Sequence, residues 1–226
     1  MLRRGAVAYA SLSLVVCAAS WWWQDRLPTA HPAPLMRLSS AAAHSYSLLL
    51  GLAFGASLVI ASRFCVGRFR WARRLHGEFR PVARQLSLGG ITLLAVASAV
   101  GEELLFRGLL QPFVGLVPQA VVFGLVHQIP GPSRWVWAGW AAAVGLGMGA
   151  LFALTGSLLG PVVAHAMVNG LNLSYIKHHD LGASDTPLGG LLGRGAPLHF
   201  DDPHKRPLTD MGEGMPPTPR RTVSHK

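Results

Sequence analysis

The sequence predicts an all-α fold, a polytopic bundle of about six membrane helices followed by a disordered C-terminal tail. Three observations predict it. Half of the 226 residues are hydrophobic and 13% are charged, whereas soluble domains carry about 25% charged residues. Mean hydropathy is +0.36. The apolar residues gather into six runs separated by polar or Arg-rich segments, and about 20 apolar residues suffice for a helix to cross a ~30 Å hydrocarbon core.

The first run, 5–23, follows Arg3 and Arg4 and ends in Trp21, Trp22 and Trp23, side chains suited to the membrane–water boundary. It reads as a retained signal anchor, with a cleaved signal peptide as the alternative because Ala18 and Ser20 resemble a cleavage site. A polar loop, 24–44, leads to the second run, 45–62, where Gly51 and Gly55 form a G-x-x-x-G that lets another helix approach closely. Runs one and two are expected as a two-helix hairpin over 1–62. Segment 63–87 mixes Arg63, Arg68, Arg70, Arg73, Arg74, Arg80 and Arg84 with Phe64, Phe69, Trp71, Leu75 and Phe79. Such a mixture suits a helix lying in the interface with its apolar side in lipid. The third to sixth runs, 88–112, 116–129, 135–156 and 157–176, form the remaining membrane domain, 88–178. From 179 to 226 the chain is rich in Pro and charge and poor in bulky apolar residues, the composition of a disordered tail.

The formal charge of +10 is concentrated in the basic segment between two apolar runs. That distribution argues for anionic lipid on the cytoplasmic side rather than for nucleic acid. It places both termini in the cytoplasm and the protein in a multi-pass membrane, expected to be a bacterial inner membrane. Cys17 and Cys65 are the two cysteines and give no disulfide framework.

Glu102, Glu103 and Arg107 interrupt the third run. On insertion scales each buried charge costs about 2.5–3.5 kcal/mol at the bilayer centre, so such groups face a bundle interior or an aqueous cavity. Glu103 and Arg107 are four residues apart, about 40° around a helix, the favourable order for an ion pair. Glu102 lies about 140° from Arg107 and is left over for other work. The fourth run carries Phe123 and His127, and the sixth His165 and Asn169, each pair on one helix face. A carboxylate, two imidazoles and an amide are the parts needed to activate a water and stabilise an oxyanion. Glu102, His127 and His165 are also candidate zinc ligands, although no H-E-x-x-H motif is present. A network of polar side chains holding helices together is the structural alternative.

The motifs E-E-x-x-x-R (102–107), F-x-x-x-H (123–127) and H-x-x-x-N (165–169), in this order and all in apolar runs, resemble those of the CPBP family of intramembrane proteases. That family includes the Ras-converting CAAX endopeptidase, bacteriocin-processing and immunity proteins, and proposed bacterial sorting proteases of the myxosortase kind. The resemblance covers residues 86–178. It implies a helical bundle with an active site inside the membrane, acting on a membrane-associated protein. It further implies that Glu102 and His127 polarise a water, that His165 and Asn169 stabilise the oxyanion, and that Glu103, Arg107 and Phe123 hold the architecture. Catalysis is expected to be glutamic, with no cofactor required and zinc as the alternative. Counting helical rise puts Glu102 and His165 about 12 Å from the outer face of the hydrocarbon core. Two other functions use the same residues: a non-catalytic immunity or scaffold protein with a partner helix in the cavity, and a proton-coupled carrier.

Overall fold

The computed structural model describes residues 2–181, and the expected tail falls outside them from residue 182 on. Among the described residues the chain is helical, without a named strand. The helices are α1 (Leu2–Gln24), α2 (Ser40–Arg68), α3 (Arg70–Gln85), α4 (Leu88–Val114), α5 (Leu116–Val126), α6 (Arg134–Thr155) and α7 (Leu159–His178). Each apolar run has become one of these helices, and the all-α bundle stands. Four of them, α1, α2, α4 and α6, are long and apolar enough to cross a membrane. At 11 residues α5 rises only about 16 Å and cannot cross alone.

Polar side chains set several boundaries. Ser39 accepts a hydrogen bond from the Ala42 N–H at the start of α2, and Ser87 accepts one from the Gly90 N–H at the start of α4. Such caps satisfy N–H groups that a helix end leaves unpaired. The loop after α1 folds back over the α6–α7 turn. His31 N–H donates to the Gly156 carbonyl (2.9 Å), Leu35 N–H to Ala153 (2.8 Å) and Met36 N–H to Leu154 (3.0 Å).

The two helices expected as a hairpin pack on different partners, α1 on α4 and α2 on α7. The reason for the second pairing is the small-residue stripe. A Cβ on Gly51 would lie 2.4 Å from the Gly160 carbonyl oxygen, and one on Gly55 3.1 Å from the Ala164 Cα. The backbones therefore touch where side chains would hold them apart. Ser47 lies one turn before Gly51 in the same stripe. Its hydroxyl donates to the Ser157 carbonyl and accepts from the Gly160 N–H, both at 2.9 Å. This seam fixes the height of α7, the helix that carries His165 and Asn169.

The basic segment divides at Phe69. Its first residues complete α2, and the helix proper is α3. Arg70, Arg73, Arg74, Arg80 and Arg84 fall within about 120° of its circumference. Its other face is partly covered by protein, with Trp71 and Val82 left exposed. Ala72 and Ala83 are buried, and the Phe79 ring meets Trp137 of α6 edge-on at 5.0 Å. The apolar face has a protein surface to cover, because α3 roofs the cavity described next.

Candidate active site

The candidate residues converge from four helices. Glu102, Glu103 and Arg107 come from α4, Phe123 and His127 from the end of α5, and His165 and Asn169 from α7; α1 adds Tyr9. Just past Glu103 the helix α4 widens into a π-helical stretch, Leu104–Leu110, before returning to α-helix. π-turns are uncommon and frequent at functional sites. Here Phe106 and Arg107 are both turned inward, at 6% and 0% exposure.

Glu103 is fully buried and serves two helices. Its Oε1 accepts from Arg107 Nη1 at 2.8 Å and lies 2.7 Å from His165 Nδ1. The sequence anticipates the first contact; the second joins α4 to α7. Arg107 also donates from Nη2 to the Gly145 carbonyl (3.2 Å), and its guanidinium sits 4.3 Å over the Phe123 ring. Phe123 contacts Phe106 edge-on at 5.0 Å and His127 at 4.2 Å. It thereby lies between the charged network and the second imidazole.

Glu102 faces the other way. Its Oε1 accepts from the Tyr9 hydroxyl at 2.8 Å. Its Oε2 lies 3.2 Å from His127 Nε2 and 3.8 Å from His165 Nε2, yet accepts no aligned hydrogen bond from the described residues. The tautomers follow from the partners. His127 Nδ1 lies 2.7 Å from the Phe123 carbonyl, an acceptor, so the proton is assigned to Nδ1. His165 Nδ1 faces the Glu103 carboxylate, also an acceptor, and is protonated by the same reasoning. Each imidazole turns its Nε2 toward Glu102 Oε2, and groups placed in this way share a proton or a bridging water.

Asn169 Nδ2 donates to Ser98 Oγ at 3.2 Å, which fixes the amide on the same side of α4 as Glu102. Tyr9, Ser98, Glu102, His127 and Asn169 all line one cavity of about 420 Å³. His165 sits behind Glu102 at 5% exposure. The other walls are mostly apolar and include Trp71, Leu75 and Phe79 of α3, Trp137 and Trp140 of α6, and Ile176 of α7. Ser62 and Arg63 at the end of α2 also contribute. The cavity thus runs from Glu102 toward the arginine-bearing end of the bundle.

Among the described residues no group of three or more His, Cys, Asp or Glu side chains is spaced to hold a metal ion. The donors nearest one another are Glu102 Oε2, His127 Nε2 and His165 Nε2, with His165 Nδ1 engaged by Glu103; no step below passes through a metal.

Four polar contributors escape sequence reasoning: Tyr9, Ser98, Gln111 and Gln119. Gln111 and Gln119 are buried and donate to the carbonyls of Gly149 (2.9 Å) and Gly145 (3.3 Å) on α6. Ser98 is one turn before Glu102 on the same face, a spacing that signals it. Tyr9 has no such signal beyond being a lone phenol in an apolar run.

A helical membrane bundle with a carboxylate between two imidazoles at the wall of an apolar cavity defines the class. Residues 84–171, which hold all three motifs, match the family described as Type II CAAX prenyl endopeptidase Rce1-like. "Uncharacterized protein YpbD" of Bacillus subtilis (strain 168) is 31% identical over 101 residues, 45% of this chain and 53% of that protein. The chain therefore spans about half the length of the curated relative it matches. No solved structure matches the chain.

Proposed function

We propose that the protein is an intramembrane endopeptidase that hydrolyses a peptide bond of a membrane-associated protein substrate. The observation that carries the reading is the position of Glu102 Oε2, at the cavity wall, within 3.2 Å of His127 Nε2 and 3.8 Å of His165 Nε2. A water held between Glu102 and His127 gives up a proton as its oxygen attacks the scissile carbonyl. General-base assistance of this kind is worth about 10²–10⁴ in rate. The Asn169 amide meets the developing oxyanion, and His165 joins it when its Nε2 carries a proton; each such donor is worth about 10²–10³. The C–N bond then breaks as the amine leaves with a proton returned from the Glu102–His127 pair. Glu103, Arg107 and Phe123 hold these groups in place.

The apolar walls favour a substrate segment that is itself apolar or lipid-bearing, because polar peptide would lose hydration there without replacement partners. The arginine face of α3 lies next to the ends of two candidate spans, α2 and α4, where anionic headgroups would meet it. In this orientation the cavity, the start of α1 and the end of α7 lie on the cytoplasmic side.

The test is proteolysis in liposomes. Purified protein is presented with a prenylated peptide ending in a CAAX sequence, its unprenylated counterpart and a transmembrane peptide, and the products are read by mass spectrometry. Cleavage of one of them by wild type, lost in Glu102→Gln and His127→Ala, is the expected result. Equal cleavage by wild type and Glu102→Gln would remove Glu102 from the chemistry. If the protein's function in cells survives Glu102→Gln and His165→Ala, the cavity serves as a docking site for a partner instead.

A further inference from the structure

We infer that Tyr9 of α1 is a positioning residue for Glu102, so that a helix outside the family-matched segment completes the catalytic site. The inference rests on the reading of Glu102 as the base. The match begins at residue 84, and nothing in the three motifs calls for a residue from α1. Yet the Tyr9 hydroxyl donates to Glu102 Oε1 at 2.8 Å across 93 residues of sequence, and Tyr9 and Glu102 line the same cavity.

The geometry gives the contact a consequence. A carboxylate rotates about its last torsion, which has broad minima. Arg107 and His165 Nδ1 are both engaged by Glu103, so neither anchors Glu102. The aligned hydrogen bond on the Glu102 carboxylate comes from Tyr9 to Oε1, while Oε2 faces His127 Nε2 at 3.2 Å. With Oε1 held by the phenol, Oε2 is the oxygen presented to both imidazoles. A base aimed by a neighbouring donor keeps the reacting atoms in register, and misplacement by about 1 Å can cost 10²-fold in rate.

The backbone of α1 is seated for this purpose. A Cβ on Gly101, the residue before Glu102, would lie 3.2 Å from both Tyr9 Cδ1 and the Tyr9 carbonyl oxygen. The absence of a side chain there lets α1 approach α4 beside the carboxylate. Ser13 Oγ also donates to the Tyr9 carbonyl at 2.9 Å. Tyr9 thus reaches Glu102 from a helix seated against α4, and a chain that lost α1 would leave Glu102 without its partner.

Tyr9→Phe tests the idea, since it keeps the ring and removes only the hydroxyl. The full chain in liposomes is used, with the substrate found above. Glu102→Gln is measured beside it, and thermal unfolding is recorded for each variant. The expected result is a fall in kcat of about 10- to 100-fold, a fraction of what loss of the base itself costs, with KM within about twofold of wild type. The acidic limb of the pH–rate profile is expected to move to higher pH, because the carboxylate loses a donor that favours its charged form. A hydroxyl that served only to hold α1 on α4 would lower the unfolding temperature and leave the pH profile where it was. Tyr9→Phe with wild-type kcat and profile, beside an inactive Glu102→Gln, overturns the inference and leaves the proposed function standing. An active Glu102→Gln overturns the proposed function itself. Gly101→Leu, which crowds the Tyr9 ring and backbone while leaving the hydroxyl on the ring, is expected to reproduce the Tyr9→Phe loss; a fully active Gly101→Leu also counts against the inference.

Discussion

Replacing Gly51 by alanine adds one methyl group at the point where α2 and α7 touch. The new Cβ would sit 2.4 Å from the Gly160 carbonyl oxygen and 2.5 Å from the Gly160 Cα, about 1 Å short of the 3.4 Å at which ordinary contact begins. Both neighbours are backbone, so no side chain can swing aside and the helices must separate by about that distance. Overpacking of this kind costs about 1–3 kcal/mol. The separation also strains the two hydrogen bonds of Ser47 to Ser157 and Gly160, each worth about 0.6 kcal/mol between membrane helices. The predicted loss is therefore about 2–4 kcal/mol. At about 2–4 °C per kcal/mol for a chain of this size, the unfolding temperature should fall by roughly 5–15 °C. The assay is thermal unfolding of detergent-solubilised protein followed by size-exclusion chromatography. Gly67→Ala and Gly139→Ala serve as controls, because a Cβ at either position meets nothing within 4 Å. Because α7 carries His165, a surviving Gly51→Ala protein is also expected to lose about 10²-fold in activity through misplacement. Equal unfolding temperatures for Gly51→Ala and the two controls would refute the close approach of α2 and α7.

Other consequences follow from the same network. Arg107→Met leaves the Glu103 carboxylate buried without its cation and should cost about 3–5 kcal/mol, and Arg107→Met with Glu103→Leu should recover part of it, read by the same unfolding assay. Ser98→Ala frees the Asn169 amide to turn and is expected to lower kcat about tenfold with little change in KM, a part of what one oxyanion donor supplies; unchanged kcat would detach Ser98 from the site. His76 of α3 is held neutral chiefly by burial, with Arg80, Arg63 and His179 acting the same way and its hydrogen bond to the His179 carbonyl partly offsetting them. Its folded pKa lies below the unfolded value of about 6.5, so the unfolded chain binds its proton first as pH falls. The stability it confers is complete above about pH 6.5 and is lost as pH falls toward the folded value; His76→Gln should flatten that decline in unfolding temperature.

Much of the fold is legible because membrane insertion imposes a simple rule on composition. A helix in hydrocarbon must be apolar over about 20 residues, so the six runs and their order can be read directly. The ion pair is legible for a similar reason: Glu103 and Arg107 sit on one helix at a spacing that sequence preserves. The contact of His165 Nδ1 with Glu103 is not legible, since it depends on the height of α7 against α4, set by Ser47, Gly51 and Gly160 on other elements. Tyr9 is hidden for the same reason; its partner is 93 residues away, and its spacing within α1 carries no signal. The widening of α4 over Leu104–Leu110 escapes a regular helical wheel altogether. Segment 63–87 is only partly legible: an amphipathic helix looks the same in sequence whether lipid or protein covers its apolar side, and here Phe79 packs on Trp137 of α6 while Trp71 and Val82 stay exposed.

The central claim is that Glu102 activates water for peptide-bond hydrolysis, and isotope incorporation addresses it most directly. Protein in liposomes is incubated with its substrate in water enriched in heavy oxygen, and the new carboxyl terminus is weighed by mass spectrometry. One heavy oxygen is expected in the product of the wild-type protein, and no product from Glu102→Gln at matched folding. Product formed by Glu102→Gln at the wild-type rate would contradict that claim.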